Sequence, residues 1–337
     1  MIMVELSIII VNWNSKGFVR NCIASIVENT FGINYEIIVV DSASFDGCGE
    51  MLQALYPHVR FIQCGQNVGF GRANNLGATY ARGNMLLLLN PDTEVRANAI
   101  KRLYTSLSQL PRAGVIGCRL LNTDGSLQAT CVQPFPTIVN QVLNAQILQR
   151  WFSKTRLWVT AATFEGATSP PPVEVVTGAC MMILRDVFEA VKGFSPDYFM
   201  YAEDLDLCYK VRAAGFINYY VPEVEIVHHG GGSTQRTHRG FSSVMKRESV
   251  SRLLRKTRGN LYSLGYRLAL SGAAIVRLML LSLYWPVALV KRRTGAWSAA
   301  FDKWVAILRW GMGLETWIYE YDQPDEIVAS LNGGDGN

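Results

Sequence analysis

Short apolar runs alternate with helical segments over the first 120 residues, and this alternation constrains the fold more than any other feature. The runs at residues 6–12, 35–41 and 85–89 are rich in Ile, Val and Leu. They are too short for helices and resemble parallel strands that are buried on both faces. Residues 18–29 and 69–81, which lie between the runs, have helical character. The pattern predicts an α/β fold with a doubly wound, mostly parallel, Rossmann-like sheet.

Polar residues follow three of the predicted strands. Such sheets bind ligands outside the carboxyl ends of their strands, where Asn12, Asp41 and Asp92 lie. Asp41 precedes a Ser-rich turn and can accept hydrogen bonds from a base or a ribose, although an Asp there can also simply form the turn. Asp92 follows Asn90 and Pro91. A carboxylate at a strand end can hold a divalent cation on a diphosphate, but this sequence is also typical of a turn.

Residues 67–75 open a predicted helix with two glycines. The segment is similar to a phosphate-binding loop, but its spacing is not that of the dinucleotide fingerprint. Gly69 can equally serve to let chain segments approach closely. Arg72 is a candidate ligand for a base or a phosphate, and a solvated surface position is the alternative.

Three acids begin the helix predicted at residues 203–214. Acids favour a helix N-terminus through the helix dipole, but Glu203, Asp204 and Asp206, close to Tyr201, exceed what a cap requires. Asp204 is the candidate general base. A base at Asp204 would need a raised pKa, which crowding by Glu203 and a partly apolar setting could supply.

Two adjacent histidines, His228 and His229, follow a predicted strand and precede a glycine loop. Imidazole binds Mn²⁺ and similar ions. Adjacent residues of an extended segment point to opposite sides, so only one of the two is expected at a site.

The C-terminal region differs in character from the rest. Residues 236–258 are strongly basic, and residues 261–290 are largely apolar but interrupted by Arg267, Arg277 and Pro286. A helix that spans a membrane needs about 20 mostly apolar residues. The interruptions therefore predict a broken segment, a helix pair that lies in the membrane interface. An ordinary helical layer packed on the core is the alternative.

Composition narrows the class of protein. The net charge of +5 over 337 residues does not indicate a nucleic-acid binder. The seven cysteines indicate reduced thiols in a cytoplasmic setting, and the N-terminus lacks the pattern of a signal peptide. The predicted divisions are a catalytic domain at 1–235 (halves 1–120 and 121–235), a basic and apolar helical region at 236–330, and a polar tail at 331–337.

Taken in order, these segments resemble the GT-A fold glycosyltransferases of family 2, in particular the bacterial rhamnosyltransferase-like group. The resemblance covers roughly residues 4–235. It is carried by SIIIVNWN at 7–14, VDS at 40–42, NVGF at 67–70, LNPD at 89–92, TGAC at 177–180, FMYAEDLD at 199–206, and His228.

The resemblance implies a role for each matching position. Asp204, beside Glu203, would be the catalytic base, and Asp92 with His228 would hold Mg²⁺ or Mn²⁺. Tyr201 and Asp206 would lie on the acceptor side. The residues implied to bind the nucleotide sugar are Asn12, Asn14, Asp41, Asn67, Gly69, Arg72, Asn90 and Asp92. Asn90 departs from the family, in which many members carry an Asp at this position.

The resemblance also implies a reaction. We expect inverting transfer of a sugar, first of all rhamnose from dTDP-rhamnose, to a hydroxyl of a lipid-linked or polysaccharide acceptor. The enzyme would act in cell-surface glycan synthesis, on the cytoplasmic face of the bacterial plasma membrane. Both a monomer and an oligomer stay open. Other donors (UDP-galactofuranose, a UDP-hexose or a GDP-sugar) stay open. A sugar-phosphate nucleotidyltransferase and a non-catalytic nucleotide-sugar-binding partner in a synthase complex are the alternatives from other classes. The nucleotidyltransferase would need a long Gly-rich loop near the N-terminus, which this sequence lacks.

Overall fold

The computed structural model describes residues 3–143, 160, 164, 166–167, 169–230, 240–290, 292 and 294–321. The predicted polar tail lies outside the described residues. The chain divides into two compact units. An α/β unit comprises Met1–Pro136, Leu143–Ser195 and Glu203–Arg236, and a helical unit comprises Thr137–Val142, Pro196–Ala202 and Thr237–Asn337.

A mostly parallel sheet forms the centre of the α/β unit. Its strands are β1 (Leu6–Asn12), β2 (Tyr35–Asp41), β3 (Arg60–Gln63), β4 (Met85–Leu89), β5 (Thr93–Val95), β6 (Ala113–Leu121), β8 (Pro172–Val173), β10 (Cys180–Leu184) and β11 (Ile217–His228); a small separate ladder pairs β7 (Val132–Gln133) with β9 (Val175–Val176). Among the described residues the order is β3-β2-β1-β4-β10-β6-β11-β5, with β8 paired to β11. Strands β5, β8 and β10 are antiparallel to their neighbours.

Among the described residues, six helices of the α/β unit flank this sheet or connect its strands, and four helices belong to the helical unit. The first group is α1 (Lys16–Asn29), α2 (Cys48–Leu55), α3 (Phe70–Thr79), α4 (Ala99–Gln109), α6 (Arg185–Ala190) and α7 (Glu203–Ala213); the second is α5 (Ile138–Val142), α8 (Phe241–Arg258), α9 (Asn260–Val290) and α10 (Thr294–Gly311). Short 3₁₀ helices lie at Ala129–Cys131 and Thr316–Tyr321.

The strand pairing gathers the predicted ligands at one edge of the sheet. Asn12 and Asp41 are register partners at the ends of β1 and β2, and β4 runs parallel to β1 on its other side. Strand β10 is antiparallel to β4 and therefore begins at the edge where β4 ends, with Cys180 opposite Leu89. Both faces of β1 and β4 are buried, as expected for central parallel strands.

The predicted break within residues 261–290 is wrong, because α9 is one continuous helix. Arg267 donates a hydrogen bond to the Trp310 carbonyl (2.7 Å), and Arg277 donates one to the Val142 carbonyl (2.9 Å). Both charged groups are thus satisfied inside the helical unit, so neither interrupts the helix. Pro286 lies near the C-terminal end of α9. By length and apolar composition, α9 meets the requirements for crossing a membrane, and little of it is buried.

A seven-residue loop before α7 belongs to the helical unit, although α7 itself does not. Ser249 of α8 donates a hydrogen bond to the Met200 carbonyl (2.8 Å), and Arg252 donates one to the Asp197 carbonyl (3.0 Å). The loop therefore takes its backbone contacts from the C-terminal helices. It ends at Ala202, directly before Glu203.

We expect Gly83→Ala to lower the free energy of unfolding by about 1–3 kcal/mol, as overpacked cores do. A Cβ on Gly83 would lie 2.6 Å from the Leu6 carbonyl carbon and from the Ser7 nitrogen, which are backbone atoms of the central strand β1. Gly17→Ala is the matched control, because a Cβ on Gly17 meets nothing within 4 Å. Urea unfolding of both variants tests the prediction, and equal midpoints would contradict it.

Candidate active site

The ends of β1 and β2 form a closed polar cluster. The Asn12 side-chain amide donates to Asp41 Oδ2 and to Ser44 Oγ, both at 2.9 Å. Asp41 Oδ1 accepts from the Ser44 backbone N–H (2.7 Å). The side chains of Asn12 and Asp41 are both buried. Asn12 and Asp41 thus lie side by side, as their places at the ends of two strands predicted. Their hydrogen bonds to Ser44 also stabilise the turn that follows β2.

Asn67 connects this turn to the start of α3. Its Oδ1 accepts hydrogen bonds from Ser42 Oγ and from the Gly69 backbone N–H, each at 3.0 Å. Gly69 has φ +79°, a left-handed conformation that favours glycine. Arg72 follows in the first turn of α3. Asn14 also has a left-handed backbone (φ +51°), which Asn tolerates well, and lies beside Lys16 and Arg20 in a surface depression.

Asp92 and His228 face each other across the pairing of β5 with β11. His228 is the register partner of Thr93, and its Nε2 lies 3.3 Å from Asp92 Oδ1. His229 instead places its Nε2 3.8 Å from Glu94. Of the two adjacent histidines, only His228 therefore joins Asp92, in keeping with the alternation of an extended chain.

Gln128 fixes the tautomer of His228, a role that the sequence did not reveal. Its side-chain amide donates to the His228 carbonyl oxygen (2.6 Å), which can only accept. This contact assigns the amide orientation, so Gln128 Oε1 is the atom 2.9 Å from His228 Nδ1. A carbonyl oxygen accepts, hence Nδ1 carries a proton, and the Nε2 edge of the imidazole faces Asp92.

An imidazole nitrogen and a carboxylate oxygen at this distance could both ligate one divalent cation. Within the described part of the chain, no third His, Cys, Asp or Glu completes a metal-binding group. Hard divalent cations accept oxygen ligands from water and phosphate. Asp92 and His228 thus fit a metal whose other ligands come from solvent and substrate.

One loop connects Asp204 to the turn after β4. Asp204 Oδ2 accepts a hydrogen bond from the Gly178 backbone N–H (3.0 Å), and the next residue, Ala179, accepts one from the Asn90 backbone N–H (3.0 Å). Asp204 and the Asn90–Asp92 turn are therefore held by consecutive residues at the start of β10. These contacts bring together two motifs that lie about a hundred residues apart in sequence.

Glu203 is a buried acid at the first position of α7. Its Oε2 has no hydrogen-bond partner among the described residues. Burial, and secondarily the charge of Asp204, raises the pKa of the Glu203 carboxyl to about 8. Glu203 is therefore mostly protonated at neutral pH. The two preceding residues, Tyr201 and Ala202, both have left-handed backbones (φ +69° and +62°), a costly conformation for residues other than glycine.

Asp206 is placed differently from the other acids of α7. It is fully buried and accepts a 2.5 Å hydrogen bond from Ser195 Oγ. Lys210, one turn further along the helix, lies 3.8 Å away. These contacts give Asp206 a structural role, so we leave it out of the proposed acceptor site.

Comparison with known proteins identifies the family. The sequence profile of glycosyl transferase family 2 matches residues 7–192, more than half of the chain. This chain belongs to glycosyl transferase family 2. It is thus a glycosyltransferase, as the resemblance implied.

Two curated proteins are similar to this chain in sequence. N-acetylglucosaminyl-diphospho-decaprenol L-rhamnosyltransferase of Mycobacterium tuberculosis is 32% identical over 214 residues, which cover 59% of this chain and 68% of the relative. The rhamnosyltransferase WbbL of Escherichia coli is 25% identical over 229 residues, which cover 66% of this chain and 82% of WbbL.

A solved structure shares the fold. The mannosyltransferase PcManGT from Pyrobaculum calidifontis, in complex with GDP-Man and Mn²⁺, aligns with a TM-score of 0.55 and 15% identity. The alignment covers 92% of this chain and 86% of that protein. The predicted α/β fold of the GT-A type is thus confirmed.

We expect Glu203→Gln to flatten the dependence of stability on pH. The raised pKa of Glu203 means that the folded state keeps a proton that the unfolded state releases. The wild type should therefore lose stability as the pH rises from about 4.5 to about 8, with a contribution on the order of 2–5 kcal/mol. The variant lacks this loss.

The measurement is the free energy of unfolding in urea at pH 5, 7 and 9. Glu223→Gln is the matched control, because Glu223 is exposed on β11. Parallel pH profiles for the wild type and Glu203→Gln would contradict the assignment of a protonated Glu203.

Proposed function

We propose that this chain is an inverting rhamnosyltransferase that transfers rhamnose from dTDP-rhamnose to a hydroxyl of a lipid-linked saccharide. The observation that carries the proposal is the loop at Gly178–Ala179, which holds the carboxylate of Asp204 and the turn of Asp92 in one site. The two curated relatives, both rhamnosyltransferases by name, support rhamnose as the donor sugar.

The nucleotide would bind along the ends of β1, β2 and β4. A cleft of about 650 Å³ opens beside Asp41 and is lined by Phe45 and Phe61. Phe45 is 70% exposed and offers a stacking surface for a base. We assign the base and ribose to Asn12, Asn14 and Asp41, and the diphosphate side to Asn67, Gly69, Arg72, Asn90 and Asp92.

Asp92 and His228 would hold Mg²⁺ or Mn²⁺ on the diphosphate. His228 Nε2 and Asp92 Oδ1 lie 3.3 Å apart, and Gln128 holds the imidazole ring in this orientation, so both atoms could ligate one ion. When bound, the ion would neutralise negative charge on the leaving diphosphate. The Mn²⁺ complex of PcManGT supports the choice of metal.

Asp204 would accept the proton of the acceptor hydroxyl. Its carboxylate is held at the N-terminus of α7 by the Gly178 and Leu205 backbone N–H groups. Glu203 stays neutral at pH 7 and so adds no second negative charge beside the base. Removal of the proton lets the acceptor oxygen attack the anomeric carbon from the face opposite the diphosphate, which inverts the configuration. Tyr201, two residues before Glu203, remains our candidate on the acceptor side.

The acceptor would be carried on a membrane lipid. The mycobacterial relative is named for a diphospho-decaprenol substrate, and α9 leaves many large apolar side chains exposed. Because Arg267 and Arg277 bond within the helical unit, the rest of α9 can lie on an apolar surface without burying their charges. We infer a peripheral location on the cytoplasmic face of a bacterial plasma membrane.

A donor panel separates this proposal from its alternatives. Calorimetry with dTDP-rhamnose, UDP-galactofuranose, UDP-glucose and GDP-mannose, with and without Mn²⁺, should show metal-dependent binding of dTDP-rhamnose. Tighter binding of another donor would change the proposed donor sugar, but the protein would still be assigned as a glycosyltransferase. Binding without any transfer or hydrolysis would favour a non-catalytic partner in a synthase complex.

Asp204→Asn should lower turnover by about 10²–10⁴-fold, the usual contribution of a general base. The Asn amide oxygen can still accept the Gly178 hydrogen bond, so the fold and dTDP-rhamnose binding should be unchanged. Transfer rates and calorimetry test both parts. Asp186→Asn, at an exposed position of α6, is the matched control. Full turnover by Asp204→Asn would overturn the assignment of the base.

Gln128→Ala should raise the dissociation constant for Mn²⁺ by about 10–100-fold, the usual effect of removing a group that orients a metal-binding His. Free Mn²⁺ can be followed by electron paramagnetic resonance in the presence of dTDP, without turnover. Asp92→Ala should abolish binding, and Gln66→Ala, at an exposed position, should have no effect. Unchanged affinity in Gln128→Ala would refute the orienting role.

A further inference from the structure

Three basic side chains from three helices converge within the helical unit. The Arg277 guanidinium lies 4.2 Å from the ring centroid of Trp304, and Lys303 Nζ lies 5.5 Å from the same centroid. Arg247 NH1 contacts Gln141 Oε1 at 3.4 Å, while Arg277 bonds the next residue of α5, Val142. We call Arg247, Arg277 and Lys303 the cation cluster.

No acid of the described residues compensates the cation cluster. Within the described residues, none of its members forms an ion pair with a carboxylate. The nearby buried acid, Glu248, is used by other groups: it accepts from Arg252 (3.0 Å) and Trp310 (2.9 Å) and lies 3.7 Å from Arg267. Asp302, the sequence neighbour of Lys303, likewise forms no ion pair with the cluster.

The cations of the cluster repel one another. Burial, followed by the charges of Arg247 and Arg277, lowers the pKa of Lys303. Arg247 is only 8% exposed, and its Nε has no hydrogen-bond partner among the described residues. Like charges gathered without a counter-charge destabilise a fold. A bound anion would remove this cost and would satisfy Arg247 Nε.

The surroundings of the cluster point to an anion that is attached to an apolar chain. Val276 and Leu280 of α9, which flank Arg277 along the helix, are 56% and 59% exposed. Arginine and lysine together are well suited to phosphate, because the guanidinium binds two oxygens and the ammonium adds a point charge. Three positive charges match a diphosphate better than the single charge of a common phospholipid headgroup.

We propose that Arg247, Arg277 and Lys303 form a binding site for the diphosphate group of a prenyl-linked molecule. This site lies in the helical unit and is additional to the reaction centre. The identity of its ligand as the acceptor lipid rests on the proposed function, whereas the diphosphate chemistry rests on the cluster alone. The site would hold the lipid end of a substrate at the membrane surface.

Farnesyl diphosphate is the probe, and its binding is measured by calorimetry on the full chain in detergent. EDTA is present and no donor is added, so metal-dependent binding near Asp92 cannot contribute. We expect Lys303→Gln to weaken binding about tenfold because it removes a positive charge, and Lys303→Glu to weaken it further because it adds a negative charge that repels the diphosphate. Arg277→Gln should also weaken binding about tenfold.

Arg309→Gln is the matched control on the same helix, because Arg309 is exposed and paired with Glu315. It should bind farnesyl diphosphate as the wild type does. Thermal melting checks that the variants are folded. If Arg277→Gln fails to fold, the two Lys303 variants still decide the question, because part of the Lys303 side chain stays exposed to solvent and Lys303 forms no ion pair within the described residues.

Three results would overturn the proposal. Equal affinity of the wild type and Lys303→Glu for farnesyl diphosphate would show that the cation cluster is not its binding site. Inorganic diphosphate binding as tightly as farnesyl diphosphate would mean that no lipid chain is recognised. A larger effect of Lys303→Glu on phosphatidylglycerol vesicles than on farnesyl diphosphate would assign the cluster to bilayer headgroups. None of these results depends on transfer activity, so loss of the proposed function would be distinguished from loss of this site.

Discussion

The antiparallel strand β10 decides where the two acidic motifs meet. Because it runs against β4, its first residues lie at the edge of the sheet where β4 delivers Asn90 and Asp92. The Gly178 and Ala179 backbone groups are thereby left to bind Asp204 on one side and Asn90 on the other. A strand parallel to β4 in the same place would end, rather than begin, at this edge. The residues that precede it would then lie at the opposite edge of the sheet, away from Asn90 and Asp92. The site thus depends on a reversal of strand direction within a mostly parallel sheet.

Much of the fold and part of the site could be predicted from the sequence, for a physical reason. Buried parallel strands need apolar residues on both faces, so β1, β2 and β4 are visible as continuous Ile-, Val- and Leu-rich runs. Their ends then place Asn12, Asp41 and Asp92 at one edge without any knowledge of the packing. The helix that begins at Glu203 was equally visible through its cluster of acids.

Other features depend on contacts between residues far apart, which no local pattern encodes. Gln128 lies in a stretch of irregular sequence, and only the fold brings it to His228. The arginines of α9 looked like interruptions because the carbonyl groups that accept their hydrogen bonds come from other elements. Asp206 looked like its acidic neighbours, yet Ser195 and Lys210 enclose it. In each case a distant partner, rather than the residue type, determines the role.

The loop at Pro196–Ala202 has a consequence for how this enzyme can be divided. Its backbone carbonyls are held by Ser249 and Arg252 of α8, yet it leads directly into the helix that carries Glu203 and Asp204. The chain therefore leaves the α/β unit and returns to it directly before α7. A C-terminal extension that was merely appended could be deleted without effect on the segments that precede it. Here deletion of α8 would remove both side chains that bind the carbonyls of this loop, so the segment directly before Glu203 would lose those hydrogen bonds.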